Sequence, residues 1–364
     1  MLAGAFIALN ALDVQQNVAS AAALSSSDNV PISAATNNPC GAITWTSGVS
    51  YAPGTIVQYS ANSSYYKAVR VNDNGTDATD PTISSWYWSP IVCDKIDPSN
   101  KIIAGYYPSR NPSPIRVRDI NPNYNLIYLF AAQPVGGSPG TTGRVFWTPP
   151  GNGRGAATNL KADVQYARTM QGRKIILSVG GAGNSMSFPN RAKSRNFVGS
   201  IVAIATQLGG IDGLDWDTFE GSQTPDTNEI IWISLELKRL FPGFIISATP
   251  APWSSPDLSF CQAMVKADAM DYAAPQYYDG PGLADPNYVV NNIKDWVSLL
   301  GADHVVVGFG IDNSPNYMSQ AQAVSTWKQV KATHPSIRGA FDWETGTDEA
   351  QGWPFAIGLG PLVQ

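Results

Sequence analysis

Short apolar runs recur through the second part of the chain and alternate with segments of helical periodicity. Near-continuous apolar runs separated by helices are typical of a parallel sheet with both faces buried. The runs occupy residues 102–107, 126–131, 174–179, 211–217, 244–248, 273–278, 304–309 and 339–343. The length of residues 101–364 is close to the about 250 residues of a single TIM barrel. The eight apolar runs would supply its eight strands. They predict an α/β fold of the (β/α)8 TIM-barrel type.

The pattern before residue 95 is different, because short strand-like stretches rich in tyrosine and tryptophan are bounded by turn residues. Residues 51–59 predict a turn followed by a strand, and residues 65–70 predict a second strand after the turn at 62–64. The Trp-Tyr-Trp run at 86–88 closes the segment. We therefore predict a small all-β module at 39–94, joined to the barrel by a Pro/Ser/Asp linker at 95–100.

Residues 1–38 form a leader rich in serine, alanine and asparagine. Residues 1–12 are apolar and residues 19–21 read Ala-Ser-Ala as a cleavage site does, but no Lys or Arg precedes Lys67. Polar residues between 13 and 17 interrupt any membrane span, which needs about 20 apolar residues. An arm that docks onto a larger assembly, an unusual signal peptide and a disordered leader all remain open, and we expect no membrane span.

Composition narrows the function classes. The net charge of −5 argues against a nucleic-acid partner. His304 and His334 lie far apart and near no motif, which argues against a His-based metal site and against a Ser-His-Asp triad. We expect no metal and no organic cofactor.

The cysteines bear on the cellular compartment. Cys40 and Cys93 stand at the two ends of the predicted module. A disulfide between them would be worth roughly 4 kcal/mol by loop entropy and would indicate an oxidising, secreted or extracellular setting. Cys261 is predicted to be a small buried hydrophobic residue.

Candidate chemistry concentrates at residues 212–220, where three aspartates and a glutamate follow one another closely. Asp215 and Asp217 stand two apart, so in a strand both project from the same face. Adjacent carboxyls share protons, and one then titrates at a raised pKa, which suits a general acid. A calcium loop or an N-capping turn is the alternative, but Leu214 and Trp216 favour a buried strand.

This cluster resembles the Asp-Gly-x-Asp-x-Asp-x-Glu signature of glycoside hydrolase family 18, the chitinases. The match covers Asp212, Gly213, Asp215 and Asp217. The resemblance implies that Glu220 is the catalytic acid, although two residues precede it where the family has one. Because side chains alternate along a strand, Glu220 faces the site only if a bulge or an early turn absorbs the extra residue.

Other strand ends extend the resemblance over residues 101–364. Ser178 begins a Ser-x-Gly-Gly motif, and residues 276–279 resemble the family's Gln-x-Tyr-Asn or Tyr-Asp motif. The match implies that Ser178 binds the aspartates, that Tyr278 orients an N-acetyl group, and that Trp343 forms the floor of the central sugar site. Further pocket residues implied by the match are Gln276, Asp279, Tyr106 and the segment 248–250.

The module at 39–94 resembles the small chitin-binding modules of carbohydrate-binding families 5 and 12. The matching residues are Trp45, Tyr51, Gly54, Val57 and Trp88. The resemblance implies exposed aromatic rings that lie flat on sugars, with Trp86, Tyr87 and Tyr66 as candidates. One or two of these rings must instead be core, because so small a domain has little else to bury.

The resemblance as a whole implies a chitinase that acts on chitin or another N-acetylglucosamine-containing glycan. Its retaining mechanism would be assisted by the substrate, with Glu220, Asp217, Asp215 and Tyr278 as catalytic residues. A non-catalytic, lectin-like glycan-binding protein is one alternative, and a surface component of a virion or injection apparatus is another. The segment between Phe309 and Gly339 has room for one helix, at about 321–331, which predicts a shallow, open groove.

Overall fold

A computed structural model describes residues 42–53, 55–62, 64–70, 80–84, 86–91, 101–217, 226–312 and 314–363. The described residues belong to two compact units, one within 42–91 and the other from 101 onwards. The leader, Glu220, Cys40 and Cys93 lie outside the described residues, so the predictions that concern them stay predictions.

The smaller unit is a four-stranded sheet. Its strands are β1 (Ile43–Thr44), β2 (Ile56–Tyr59), β3 (Ser64–Ala68) and β4 (Trp88–Ile91), in that order across the sheet. β1 runs parallel to β2, and the other two pairings are antiparallel. The core of the unit consists of Tyr51, Val57, Tyr66, Ala68 and Trp88. This β-rich architecture is the one that the aromatic pattern predicts.

The larger unit is a TIM barrel of eight parallel strands. These are β5 (Ile102–Pro108), β6 (Leu126–Pro134), β8 (Lys174–Gly180), β9 (Gly213–Asp217), β10 (Ile245–Ala248), β11 (Tyr272–Ala273), β12 (Val306–Phe309) and β13 (Gly339–Asp342). Each strand except β11 pairs in parallel with the next barrel strand, and β13 pairs with β5. Bridges from Ala273 to Val305 and from Gln276 to Gly308 connect β11 to β12. All eight apolar runs therefore contribute strands.

Two details differ from the predicted strands. The run at 273–278 yields only the short strand β11, because Pro275 has no N–H to donate and interrupts the ladder before Gln276. The strand β7 (Val145–Phe146), which the pattern did not indicate, pairs antiparallel with the end of β6. It forms a hairpin at the carboxyl end of the second barrel strand.

Helices surround the barrel. They are α1 (Ala156–Thr169), α2 (Arg191–Leu208), α3 (Thr227–Leu240), α4 (Ser255–Lys266), α5 (Pro286–Leu300), α6 (Gln320–Thr333), α7 (Thr345–Ala350) and α8 (Gly360–Val363). Short 3-10 turns at Val117–Asp119 and Ala302–His304 and a π-helical stretch at Pro354–Leu359 complete the unit. Between β12 and β13 the described residues contain one helix, α6, as the spacing predicts. In the part of the chain that the structure describes, no helix is long and apolar enough to cross a membrane.

Alternation along β9 decides which side chains reach the inside of the barrel. Leu214 and Trp216 belong to the core between sheet and helices, where Trp216 stacks on Phe197 of α2 with ring centroids 5.0 Å apart. Asp215 and Asp217 occupy the intervening positions and project into the barrel. Cys261, on α4, is a buried free thiol, as predicted.

Candidate active site

The carboxylate of Asp215 lies fully buried inside the barrel and accepts hydrogen bonds from four hydroxyl groups. Ser247 donates to Oδ1 at 2.7 Å, whereas Tyr106, Ser178 and Thr249 donate to Oδ2 at 2.8, 2.9 and 3.2 Å. The register explains this convergence, because Ser178 and Ser247 are the direct partners of Asp215 on the two neighbouring strands. The predicted bond from Ser178 to the acidic cluster is therefore present.

Burial raises the pKa values of the acidic groups in this cluster. Burial raises the pKa of Asp215 above its ordinary value, and hydrogen bonds from Ser247, Tyr106, Ser178 and Thr249 oppose that rise. Burial and the nearby charges of Asp215 and Asp217 raise the pKa of Tyr106 well above 10. Tyr106 thus remains protonated and donates a hydrogen bond to Asp215.

Asp217 lies at the carboxyl end of β9, next to the mouth of the barrel. Its Oδ1 accepts a hydrogen bond from Nε2 of Gln276 at 3.2 Å, and the same amide donates to the carbonyl of Thr249 at 2.7 Å. The amide of Gly181 donates to the carbonyl of Asp217 at 2.7 Å. These contacts hold the backbone and the side chain of Asp217 at the edge of the cavity.

The second glycine of the Ser-x-Gly-Gly motif is required by space as well as by conformation. Gly181 has a φ of +89°, and a Cβ placed there would lie 2.6 Å from Cζ of Phe130. Only glycine adopts this conformation without strain and leaves room for the ring. The motif therefore lets the chain turn at the end of the third barrel strand while its backbone stays close to the acidic cluster.

Aromatic rings line the side of the cavity opposite the acidic strand. Trp343 and Tyr278 lie parallel within 9°, with centroids 6.1 Å apart, and Phe130 meets Trp343 edge-on at 4.9 Å. The guanidinium of Arg110 lies 5.2 Å from the centre of the Trp343 ring. Tyr278 is buried and Trp343 is half-buried, so the rings present a firm, partly accessible surface.

An open cavity of about 580 Å³ joins these groups at the barrel mouth. Asp217, Gln276, Tyr278, Asp279 and Trp343 are among its lining residues. Asp215, Ser178 and Tyr106 lie directly beneath, connected to one another by the hydrogen bonds above. The structure thus brings together every predicted barrel residue of the site that it describes.

The three candidate rings of the small module differ in their exposure to solvent. Tyr66 is a core residue, 8% exposed, because it alternates inward on β3 with Ala68, so its assignment as a sugar-binding ring was wrong. Tyr87 is half-buried and packs against that core. Trp86 is 63% exposed, and the guanidinium of Arg70 lies 3.9 Å from its ring centre.

The sequence patterns did not indicate Ser247, Arg110, Phe130 or Trp253 as residues of the barrel site. Ser247 had a detectable signal, since polar residues at 247 and 249 alternate with apolar ones along β10 and so face the barrel interior. Arg110 and Trp253 line the cavity from loops, where no periodicity marks them. Within the described residues, no group of three or more His, Cys, Asp or Glu side chains is arranged to hold a metal ion.

Fold and site together define a class: a TIM-barrel protein with a buried acidic pair beneath an open, aromatic cavity. No family model matches the chain. Chitinase Chi52 of Paenibacillus xylanexedens is 25% identical over 209 residues, 53% of this chain and 35% of that protein. Chitinase D of Niallia circulans is 25% identical over 227 residues, 57% of this chain and 38% of that protein. The matched part of the chain thus spans little more than a third of these curated relatives.

Solved structures are similar over a larger share of the chain. A family GH18 chitinase from Chromobacterium violaceum has a TM-score of 0.63 and 20% identity, covering 89% of this chain and 100% of that one. The xylanase and α-amylase inhibitor protein XAIP-II from Scadoxus multiflorus has a TM-score of 0.55 and 16% identity, covering 71% and 98%. At these identities the likeness shows the fold, which a chitinase and an inhibitor protein share.

Proposed function

We propose that this chain is a glycoside hydrolase of family 18 that cleaves β-1,4-linked N-acetylglucosamine polymers internally. The observation that carries the proposal is the pair Asp215 and Asp217 on one strand face, next to the cavity lined by Tyr278 and Trp343. The similarity to curated chitinases supports the choice of substrate.

The proposed chemistry uses the substrate's own N-acetyl oxygen as the nucleophile, as in the family-18 exception among retaining glycosidases. That oxygen attacks the anomeric carbon while the glycosidic C–O bond breaks, and Glu220 gives its proton to the departing oxygen. The result is a cyclic, positively charged intermediate. Water then adds to the anomeric carbon, loses its proton to Glu220 and reopens the ring.

The described residues have the roles that this chemistry needs. Asp217, with its carboxylate at the cavity edge, holds the N-acetyl N–H and stabilises the positive charge, which is more effective in a buried site than in water. Asp215 shares a proton with Asp217, which is possible because burial raises the pKa of Asp215. Tyr278 orients the N-acetyl carbonyl, while Trp343 and the neighbouring rings carry the apolar face of the sugar.

The test is product release from chitin oligosaccharides by the wild type, by Glu220→Gln and by a matched surface variant, Glu236→Gln on α3. We expect wild type and Glu236→Gln to release products of retained anomeric configuration, detected by NMR. Glu220→Gln should lose at least about a hundredfold in rate, the scale of one missing transition-state contact. Equal rates for Glu220→Gln and wild type would remove Glu220 from the mechanism.

A second candidate is a glycan-binding protein without turnover. The extra residue between Asp217 and Glu220 favours it, because displacement of a catalytic group by about 1 Å can cost about a hundredfold in rate. The inhibitor protein with the same fold shows that the barrel alone does not imply hydrolysis. Calorimetric binding of chitin oligosaccharides with no product after prolonged incubation would establish this alternative.

We also propose that the module at 39–94 retains the protein on solid chitin outside the cell, with Trp86 as its exposed ring. Deletion of 39–94 should then reduce activity on insoluble chitin much more than on soluble oligosaccharides, since only the solid presents a flat array of chains. Equal losses on both substrates would assign the module to stability.

Alkylation without reductant, followed by mass spectrometry, tests the Cys40–Cys93 disulfide.

A further inference from the structure

A large aromatic ring stands at the rim of the barrel cavity, outside the acidic cluster and the Trp343 surface. Trp253 lies between β10 and α4, lines the same cavity as Asp217 and Trp343, and is 66% exposed. Among the described residues of the barrel it is the most exposed tryptophan. An exposed indole ring does not contribute the free energy that its burial would supply to folding. A ligand that covers the ring would recover part of that free energy on binding.

The loop on the amino-terminal side of this ring is anchored. The carbonyl of Pro252 accepts hydrogen bonds from Nδ2 of Asn292 at 3.2 Å and from Nε1 of Trp296 at 3.3 Å. Both donors are on α5, and Asn292 also accepts a hydrogen bond from the hydroxyl of Tyr277 at 2.8 Å. The position of Trp253 is therefore tied to the strand end that carries Gln276 and Tyr278.

The carboxyl-terminal side of the ring is anchored as well. Ser254 caps α4 by accepting a hydrogen bond from the amide of Asp257, and the carboxylate of Asp257 accepts one from the amide of Ala251 at 3.0 Å. These bonds close a short ring of contacts around Trp253. Its backbone is pre-organised, so a ligand that stacks on the side chain does not have to order the loop first.

The surroundings fit a sugar ring better than an apolar partner. The cavity that Trp253 lines is also lined by Gln276 and Asp279, which supply polar groups, and by Leu283. A pyranose has an apolar face for the indole and hydroxyl groups around its edge for such polar groups. β10 is also the direct neighbour of β9, which carries the acidic pair.

We propose that Trp253 is a second sugar-ring platform, which binds a unit of the glycan chain beyond the two units that a dimer places at the Trp343 site. This inference rests on the proposed function and extends it, because it predicts a dependence on chain length. An oligosaccharide long enough to reach both rings gains from Trp253, whereas a substrate confined to the Trp343 site does not.

The experiment compares Trp253→Ala, Trp253→Tyr and the control Met170→Ala, a side chain that is 71% exposed and does not line the cavity. Calorimetry with N-acetylglucosamine dimers and hexamers, in the Glu220→Gln background, measures binding at two lengths. Hydrolysis of the hexamer by the variants with Glu220 intact gives kcat and KM. Circular dichroism checks that each variant is folded.

We expect Trp253→Ala to weaken hexamer binding about tenfold, the scale of a lost aromatic stacking contact. Dimer binding should stay within a factor of two, and Trp253→Tyr and Met170→Ala should remain close to the parent. In hydrolysis the loss should appear in KM for the hexamer more than in kcat.

The outcomes separate the two levels of inference. If the parent binds the hexamer and Trp253→Ala binds it equally well, the platform is refuted and the proposed function stands. An equal loss for the dimer and the hexamer also refutes it, because the ring would then belong to the central site. If the parent binds neither oligosaccharide, the proposed function fails and the platform fails with it.

Discussion

The two ends of β9 carry aspartates of the same motif in opposite electrostatic settings. At its start, Asp212 meets Arg168 in a double contact, with Nε at 2.9 Å and Nη2 at 3.0 Å, and accepts the amide of Ile175 at 2.9 Å. At its other end, Asp215 is surrounded by neutral hydroxyls and Asp217 borders the open cavity. One strand therefore carries an ion pair at one end and a titratable group near the other.

The difference shows how one short motif can place an ion-paired aspartate and a buried, hydroxyl-bound aspartate on one strand. The bidentate contact of the Arg168 guanidinium with Asp212 fixes the helix α1 against the start of the strand. Hydroxyl groups can serve either protonation state, since each can rotate to donate or accept. Asp212 is thus a structural residue, whereas burial raises the pKa of Asp215 among hydroxyl groups.

The largest expected effect comes from the mouth end of β9. Asp217→Asn should lower kcat on chitin oligosaccharides by about a hundredfold or more, because a fixed charge next to the reacting centre is lost. The unfolding midpoint in urea should change little. Full activity of this variant would show that the acidic pair is not the reacting centre. It would contradict the contrast between the two ends of β9.

The start of β9 should respond in the opposite manner. Asp212→Ala should lower the free energy of unfolding by about 2 kcal/mol, since it removes charge-assisted hydrogen bonds to Arg168 and to the backbone. Activity per folded molecule should remain that of the wild type. Urea denaturation followed by tryptophan fluorescence gives the stability, and a rate loss without a stability loss would contradict the assignment.

The hydroxyl shell of Asp215 can be tested one group at a time. Tyr106→Phe removes the donor at 2.8 Å and leaves the ring in place. We expect kcat/KM to fall about tenfold, the equivalent of one hydrogen bond to a charged group. The matched control Tyr107→Phe removes a hydroxyl that donates to the carbonyl of Ile115, outside the acidic cluster, and should leave the rate unchanged.

The smallest effect is a pH dependence of stability. Because its folded-state pKa is raised, the Asp215 carboxyl binds its proton more tightly in the folded protein. Its stabilising contribution is complete below the unfolded value of about 3.9 and is lost as the pH rises through the folded pKa. The free energy of unfolding should thus fall more steeply over that window for wild type than for Asp215→Asn. Parallel profiles would show that Asp215 titrates normally.

Other buried acids do not disturb that comparison. Burial raises the pKa of Asp257, and burial together with the nearby Asp348 raises that of Asp342. The stability contributions of these groups change with pH in the same direction as that of Asp215. Because the groups are present in both wild type and Asp215→Asn, their contributions cancel in the difference between the two pH profiles of unfolding free energy.

Much of the barrel was readable from the sequence because its signals are local. Each apolar run predicts a strand. The number of residues between Phe309 and Gly339 allows one helix, and α6 lies in that segment. The spacing of Asp215 and Asp217 places both on one strand face whatever the rest of the chain does. The small module was also readable, apart from the choice of which rings are core.

What local pattern cannot supply is the identity of partners from distant parts of the chain. Tyr106 is 109 residues from Asp215, and Ser247 is 32 residues from it, yet both donate to its carboxylate. Trp253 and Arg110 belong to loops whose positions depend on the elements around them. In the small module, Tyr66 faces inward because it packs with Trp88 and Tyr51 in the core.

The sequence by itself therefore determined the strands, the order of the motifs and the acidic residue types in the fourth barrel strand. Periodicity and spacing along the chain are sufficient for these properties. The tertiary structure decided which hydroxyls surround Asp215, which aromatic rings face the cavity and which aspartate is paired with an arginine. Those contacts are set by the register of neighbouring strands and by barrel closure, which join residues that are remote in sequence.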